Sequence, residues 1–134
     1  MSKPLLQVKN LVVDFQTRAG NARVLDHVSL NVNEGEILGI VGESGCGKSM
    51  TALSLLRLNP QPVSRIVKGK VELAGQDLLN LSEAEMEHIR GRRIAMIFQE
   101  PQSSLNPVLS VEQQIGEALQ WHFDINGEAL HNRI

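Results

Sequence analysis

Apolar residues recur at every second position from Leu6 to Phe15, but the alternation changes phase near Asn10. Leu6 and Val8 fall on one set of positions, and Leu11, Val13 and Phe15 on the other. That pattern predicts a strand that switches face partway along. A turn signal, Arg18-Ala19-Gly20-Asn21, precedes a second strand over Arg23 to Val32, with Val24, Val28, Leu30 and Val32 in alternation. The two strands predict an antiparallel hairpin. Asn33-Glu34-Gly35 makes the next turn. Glu36 to Val41 (EILGIV) is nearly all apolar at its end, which predicts a strand buried on both faces, as in a parallel sheet.

Helical spacing follows. Ala52, Leu53, Leu55 and Leu56 give Met50 to Leu58 an apolar side, and Asn59-Pro60-Gln61-Pro62 stops that helix. Lys70 to Ala74 predicts a short strand, and Gly75-Gln76-Asp77 a turn. Ser82 to Arg90 predicts a helix, with Ser82 and Glu85 at capping-box spacing, Leu81 and Met86 as a staple, and Gly91 at its end. Arg93 to Gln99 (RIAMIFQ) is a second buried-type strand, followed by a loop from Glu100 to Pro107. Ser110 opens another helix with Gln113 at the reciprocal capping position. Val111, Ile115, Ala118, Leu119 and His122 share one of its faces. The closing GEALHNRI reads as the start of a further helix. Two doubly buried strands with few elements to cover them predict the first part of a larger α/β domain. The other reading is a complete small domain with a frayed tail.

Composition narrows the picture. The chain has 134 residues and a net charge of −2, room for one modest domain and no charge-based case for a polyanion partner. With three Phe, one Trp and no Tyr, stacking of nucleic-acid bases is a poor general reading. The single cysteine allows no internal disulfide, which fits a reducing compartment. The N-terminus does not read as a signal peptide, and no apolar run reaches the roughly eighteen residues of a membrane span; a membrane role then comes through a partner. His27, His88, His122 and His131 show no metal-ligand spacing. The Arg90, Arg92, Arg93 cluster reads as a solvated helix end, offset by Glu83, Glu85 and Glu87.

Gly42-Glu43-Ser44-Gly45-Cys46-Gly47-Lys48-Ser49 fits G-x-x-x-x-G-K-[ST], set between an expected buried strand and an expected helix. Glycines let successive backbone N–H groups turn inward without side chains in the way, which makes an anion nest. The helix start adds the positive end of its dipole. Lys48 brings a full charge to the outer phosphates of a nucleotide, and Ser49 offers a hydroxyl to Mg²⁺. Cys46 reads as a small residue that the loop requires, although a helix start and a nearby lysine favour its thiolate.

VSLNVNEGEILGIVGESGCGKS resembles the start of an ABC transporter ATP-binding subunit, where a β arm leads to the Walker A loop. MIFQEPQSSLNPVLSVEQQI, residues 96 to 115, resembles the Q-loop region of the oligopeptide/dipeptide/nickel importer subfamily, as does LSEAEMEHIRGRRIAMIFQEP. The resemblance covers nearly the whole chain. It implies a P-loop NTPase core of ABC type with an antiparallel β arm, residues 1–134 being its N-terminal part: β arm, Walker A, Q-loop and the start of the helical subdomain. It also implies that Gly42 to Ser49 is Walker A, with Met50 lending a backbone N–H, that Gln99 is the Q-loop glutamine reaching Mg²⁺ or the attacking water, and that Phe15 stacks on adenine. Lys48 and Gln99 are then the catalytic residues, Ser49 and Gln99 the metal ligands, and ATP and Mg²⁺ the substrate and cofactor. The implied partners are a second ATP-binding subunit, identical or not, and transmembrane permease subunits at the Q-loop, with no nucleic acid. The implied place is peripheral, on the cytoplasmic face of the plasma (inner) membrane.

Glu100 is not the expected general base, since in that family the catalytic glutamate follows the Walker B aspartate. The chain holds no LSGGQ-like signature, no Walker B strand and no switch histidine after them. Three functional readings follow: the ATPase subunit of a peptide-type importer, a non-catalytic truncated piece, or a soluble ABC-type ATPase acting on nucleic acid or ribosomes. The third lacks the basic tracts or zinc cysteines expected of it.

Overall fold

The computed structural model describes residues 3–100 and 105–134. The middle of the expected loop, Pro101 to Ser104, and with it the end of FQEP and the start of SLNP, lies outside them. The chain divides into two compact units, Met1–Met86 and Glu87–Ile134.

The first unit is built on a four-stranded antiparallel sheet in the order β2-β1-β3-β4. Strand β1 spans Leu6–Thr17, β2 Gly20–Val32, β3 Ser64–Leu73 and β4 Gln76–Asp77. The predicted hairpin is present, with Leu6 opposite Val32 and Thr17 opposite Gly20. The change of phase is a register shift between Val8 and Leu11, where Asn10 adopts φ +48°. A bulge of this kind inserts an unpaired residue and rotates the following side chains to the other face. Val8, Leu11, Val12 and Val13 are all buried as a result, and with Leu25, Val71, Leu73 and Leu78 they make the core of this unit. The turn after β2 forms as expected: Asn33 donates its backbone N–H to the Glu36 carboxylate at 2.6 Å, and Gly35 sits at φ +73°.

Helix α1 spans Lys48–Leu55, beginning two residues earlier and ending three earlier than the apolar spacing indicated. Its end is closed by the Arg57 N–H on the Ser54 carbonyl and the Leu58 N–H on the Leu53 carbonyl, with Arg57 in the left-handed region at φ +54°. The Ser54 hydroxyl donates to the Met50 carbonyl and accepts from the Asn59 amide. A 3-10 turn, Leu78–Asn80, is capped by Asp77. Helix α2 runs Glu83–Ile89. Its capping box is formed: Ser82 donates both N–H and O–H to the Glu85 carboxylate at 2.7 Å, and the Glu85 N–H returns to the Ser82 hydroxyl.

Two expected strands do not form. Residues 36–43 and 95–98 belong to no helix or strand. Ile37 and Val41 are 98% and 96% exposed, and Ile97 is 90% exposed. A run of apolar side chains becomes a strand only where another strand takes its backbone N–H and C=O groups. Neither run pairs with a strand among the described residues. Ile94 makes only an isolated parallel bridge to Arg90. The short strand expected at Lys70 instead begins at Ser64, because β1 is long enough to pair with it as far as Phe15.

In the second unit, α3 spans Val111–Phe123 and α4 Gly127–His131. Ser110 and Gln113 complete a capping box at the start of α3. The apolar face expected on α3 is present in sequence, yet Val111 and Ile115 are exposed. Arg92 and Arg133 lie over the Phe123 ring at 5.9 and 5.0 Å. Among the described residues, no helix is long and apolar enough to cross a membrane.

Candidate functional site

The glycine-rich loop turns where its glycines permit. Gly45 and Gly47 stand at φ +82° and +94°, a backbone that side-chain-bearing residues rarely adopt. The Cys46 N–H reaches the Glu43 carbonyl at 3.4 Å. Gly47 is the N-cap of α1, and its carbonyl accepts from both the N–H and the hydroxyl of Thr51, at 2.8 and 3.0 Å. The loop lies against β2: a Cβ on Gly47 would stand 2.7 Å from Cδ2 of Leu25 and 3.4 Å from the Val24 carbonyl oxygen. Glycine at this position sets how closely the helix start approaches the strand.

Lys48 folds back into the curl. Its Nζ donates to the carbonyls of Gly42 and Glu43, both at 2.6 Å, and lies 3.3 Å from Sγ of Cys46. The ammonium is thus held at the mouth of the loop by two backbone carbonyls, beside a thiol. A phosphate oxygen is a stronger acceptor for an ammonium than a carbonyl is, so this placement leaves the charge available for exchange. The first turn of α1 contains no acidic residue, which leaves the positive end of its dipole uncompensated. Ser49 is exposed on that turn, Met50 half-buried, and the lone thiol of Cys46 is exposed. Glu43 and Ser44 are exposed on the outside of the curl. This is a surface suited to a polyanion: backbone amides at glycines, one ammonium and one hydroxyl.

Phe15 sits near the turn end of the hairpin, half-buried, opposite Ala22 on β2 and Ser64 on β3. Val13, two residues back, pairs with Leu25, the residue that Gly47 rests on. The hairpin therefore carries Phe15 along the same strand pair that supports the loop. Gln99 belongs to the second unit, exposed, in a bend after the unpaired run, and Glu100 beside it is also exposed. Lys48 and Gln99 thus fall in separate units.

Two supports were not singled out in the sequence. Gln114 accepts the Asn106 N–H at 2.8 Å and donates its amide to the Asn106 and Leu109 carbonyls at 3.1 Å, strapping the end of the proline loop to α3. The Ser54–Asn59 pair fixes the far end of α1. Each is a polar residue beside a helix terminus, the only local sign available.

A family model described as ABC transporter matches residues 25–133. A protein of Sinorhizobium fredii named a probable peptide ABC transporter ATP-binding protein is 50% identical over 131 residues, covering 97% of this chain and 39% of that protein. The oligopeptide transport ATP-binding protein OppD of Bacillus subtilis is 43% identical over 129 residues, covering 96% of this chain and 36% of that protein. The dimeric structure of an ATP-binding cassette in a post-hydrolysis state, bound to ADP and Pi, superposes with a TM-score of 0.78 at 25% identity, covering 96% of this chain and 53% of that one. The chain spans about two fifths of the length of the curated relatives it matches.

Proposed function

The chain belongs to the ABC transporter family, and from that premise we propose that it holds the nucleotide-binding portion of an ATPase subunit driving import of peptides or related small solutes. The observation that carries this reading is the curl of residues 42–49 around Nζ of Lys48, with both neighbouring carbonyls at 2.6 Å. In this reading Lys48 transfers its hydrogen bonds from the Gly42 and Glu43 carbonyls to the outer phosphates of ATP. The backbone N–H groups from Gly45 to Met50 take the remaining phosphate oxygens, and Phe15 offers a ring face to adenine.

The donor set suits a hard cation. Ser49 supplies a hydroxyl and Gln99 an amide oxygen, both oxygen ligands of the kind Mg²⁺ prefers. Bound beside Ser49, Mg²⁺ would supply charge neutralisation at the phosphates. Gln99 orients the attacking water, and hydrolysis proceeds by in-line displacement that depends on positioning and charge stabilisation. The subunit works in a dimer, identical or mixed, and meets permease subunits through the segment around Gln99, on the cytoplasmic face of the membrane. The names of the relatives, both peptide transport ATP-binding proteins, support the solute class. Within these 134 residues there is no signature motif and no Walker B glutamate, so the chain by itself binds ATP without turning it over.

The test is direct titration of the chain with a fluorescent ATP analogue and Mg²⁺, read by anisotropy and alongside phosphate release. We expect saturable binding, weakened at least about tenfold by Lys48→Ala, with phosphate release at background. Equal binding by Lys48→Ala sinks the assignment of the loop. Turnover that disappears in that variant sinks the claim of inactivity.

A further inference from the structure

Strand β3 has one covered edge and one largely open edge. β1 pairs along its length, but on the far side β4 covers only Glu72 and Leu73. From Ser64 to Val71 that side has no strand partner among the described residues. Beside it runs an open groove of about 660 Å³, within the range of ligand-binding clefts. Arg65 and Lys68 line it, and no carboxylate pairs with either among the described residues. A third cation on its wall, Arg57, is already engaged: it donates to the Leu81 carbonyl at 2.5 Å and stands 3.7 Å from the Glu83 carboxylate. The groove therefore carries two uncommitted positive charges.

Two of the residues beside it, Asn59 and Ser64, are buried polar residues, 6% and 4% exposed. The Asn59 amide nitrogen is committed to Ser54, while Oδ1 of Asn59 and Oγ of Ser64 have no hydrogen-bond partner. Buried polar atoms are seldom left this way. Val67, half exposed, adds an apolar wall.

We propose that this groove receives an extended acidic peptide segment of a partner protein, which adds as a strand along the open edge of β3 and sets its carboxylates against Arg65 and Lys68. Strand addition accounts for the features together. Main-chain pairing fills the edge, and alternate side chains meet Val67 and the two cations. A free phosphate would use the charges and nothing else. The site is separate from the nucleotide loop and does not depend on its assignment.

The test uses the intact chain and a short dye-labelled peptide alternating Glu and Val, followed by anisotropy. We expect saturable binding that weakens at least about tenfold in Arg65→Gln, Lys68→Gln and is unchanged by Lys48→Ala. A version of the peptide N-methylated on alternate backbone nitrogens should not bind, which tests strand pairing on the unaltered chain. Equal binding of a Lys-Val peptide, or indifference to the double substitution, overturns the proposal. So does displacement of the peptide by inorganic phosphate together with full binding of the N-methylated form, since that describes a simple anion site.

Discussion

A Cβ on Gly42 would stand 2.6 Å from Sγ of Cys46, well inside van der Waals contact. The first glycine of the loop and its cysteine therefore share one small space, with the Lys48 ammonium at its border. Gly42→Ala should push the thiol toward Lys48 and weaken nucleotide binding about tenfold. Cys46→Ala alone should be nearly neutral, because the proposed phosphate contacts of the loop are chiefly backbone. Combined with Gly42→Ala, it should restore much of the loss. A double-mutant cycle on nucleotide affinity measures the coupling, and strictly additive effects would refute it.

Gly69 is held by two constraints at once. It adopts φ +121°, and a Cβ there would stand 2.6 Å from Cα of Leu11 and 2.9 Å from the Asn10 carbonyl oxygen. Both obstacles are backbone of the central strand at its bulge, so no rotamer change relieves them. Gly69→Ala should cost more than about 2 kcal/mol, read as a lower urea midpoint at unchanged slope. Gly75→Ala, with open space at the same site class, is the control and should cost less. Equal losses would show that the backbone angle alone is responsible.

The Glu85 carboxylate titrates below the usual glutamate range because it accepts from the Ser82 hydroxyl and then from the Ser82 backbone N–H. The group is depressed in the folded chain, so its contribution is present above the unfolded pKa and is lost as pH falls through the folded one. Helix α2 should therefore loosen at its start on acidification below the ordinary carboxylate range. Ser82→Ala should move the Glu85 titration upward, toward its unperturbed position, in a side-chain NMR titration. An unmoved midpoint would exclude the hydroxyl as the main cause.

What the sequence made legible was local. The phase change at Asn10, the hairpin, and both capping boxes at Ser82 and Ser110 are each specified by residues within a few positions of one another. The loop's residue types were legible too, since glycine, lysine and serine at fixed spacing carry their own chemistry. The contacts of Lys48 with the Gly42 and Glu43 carbonyls were not, because they depend on the angles at Gly45 and Gly47 rather than on residue identity. Strand β3 was seen only from Lys70 onward, since Arg65 and Lys68 break the apolar alternation and its pairing with β1 is long-range. For the same reason, Glu36 to Val41 and Arg93 to Gln99 look like buried strands in sequence and form no strand in the structure. Hydrophobicity states what a segment can bury, while the partner that buries it lies elsewhere in the chain or in another molecule.

The run from Ile37 to Val41 leaves Ile37, Leu38, Ile40 and Val41 open to water. Apolar and outside the sheet, it is the kind of segment that invites association, so among the described residues it is a surface with much free energy to gain from whatever segment comes to lie on it.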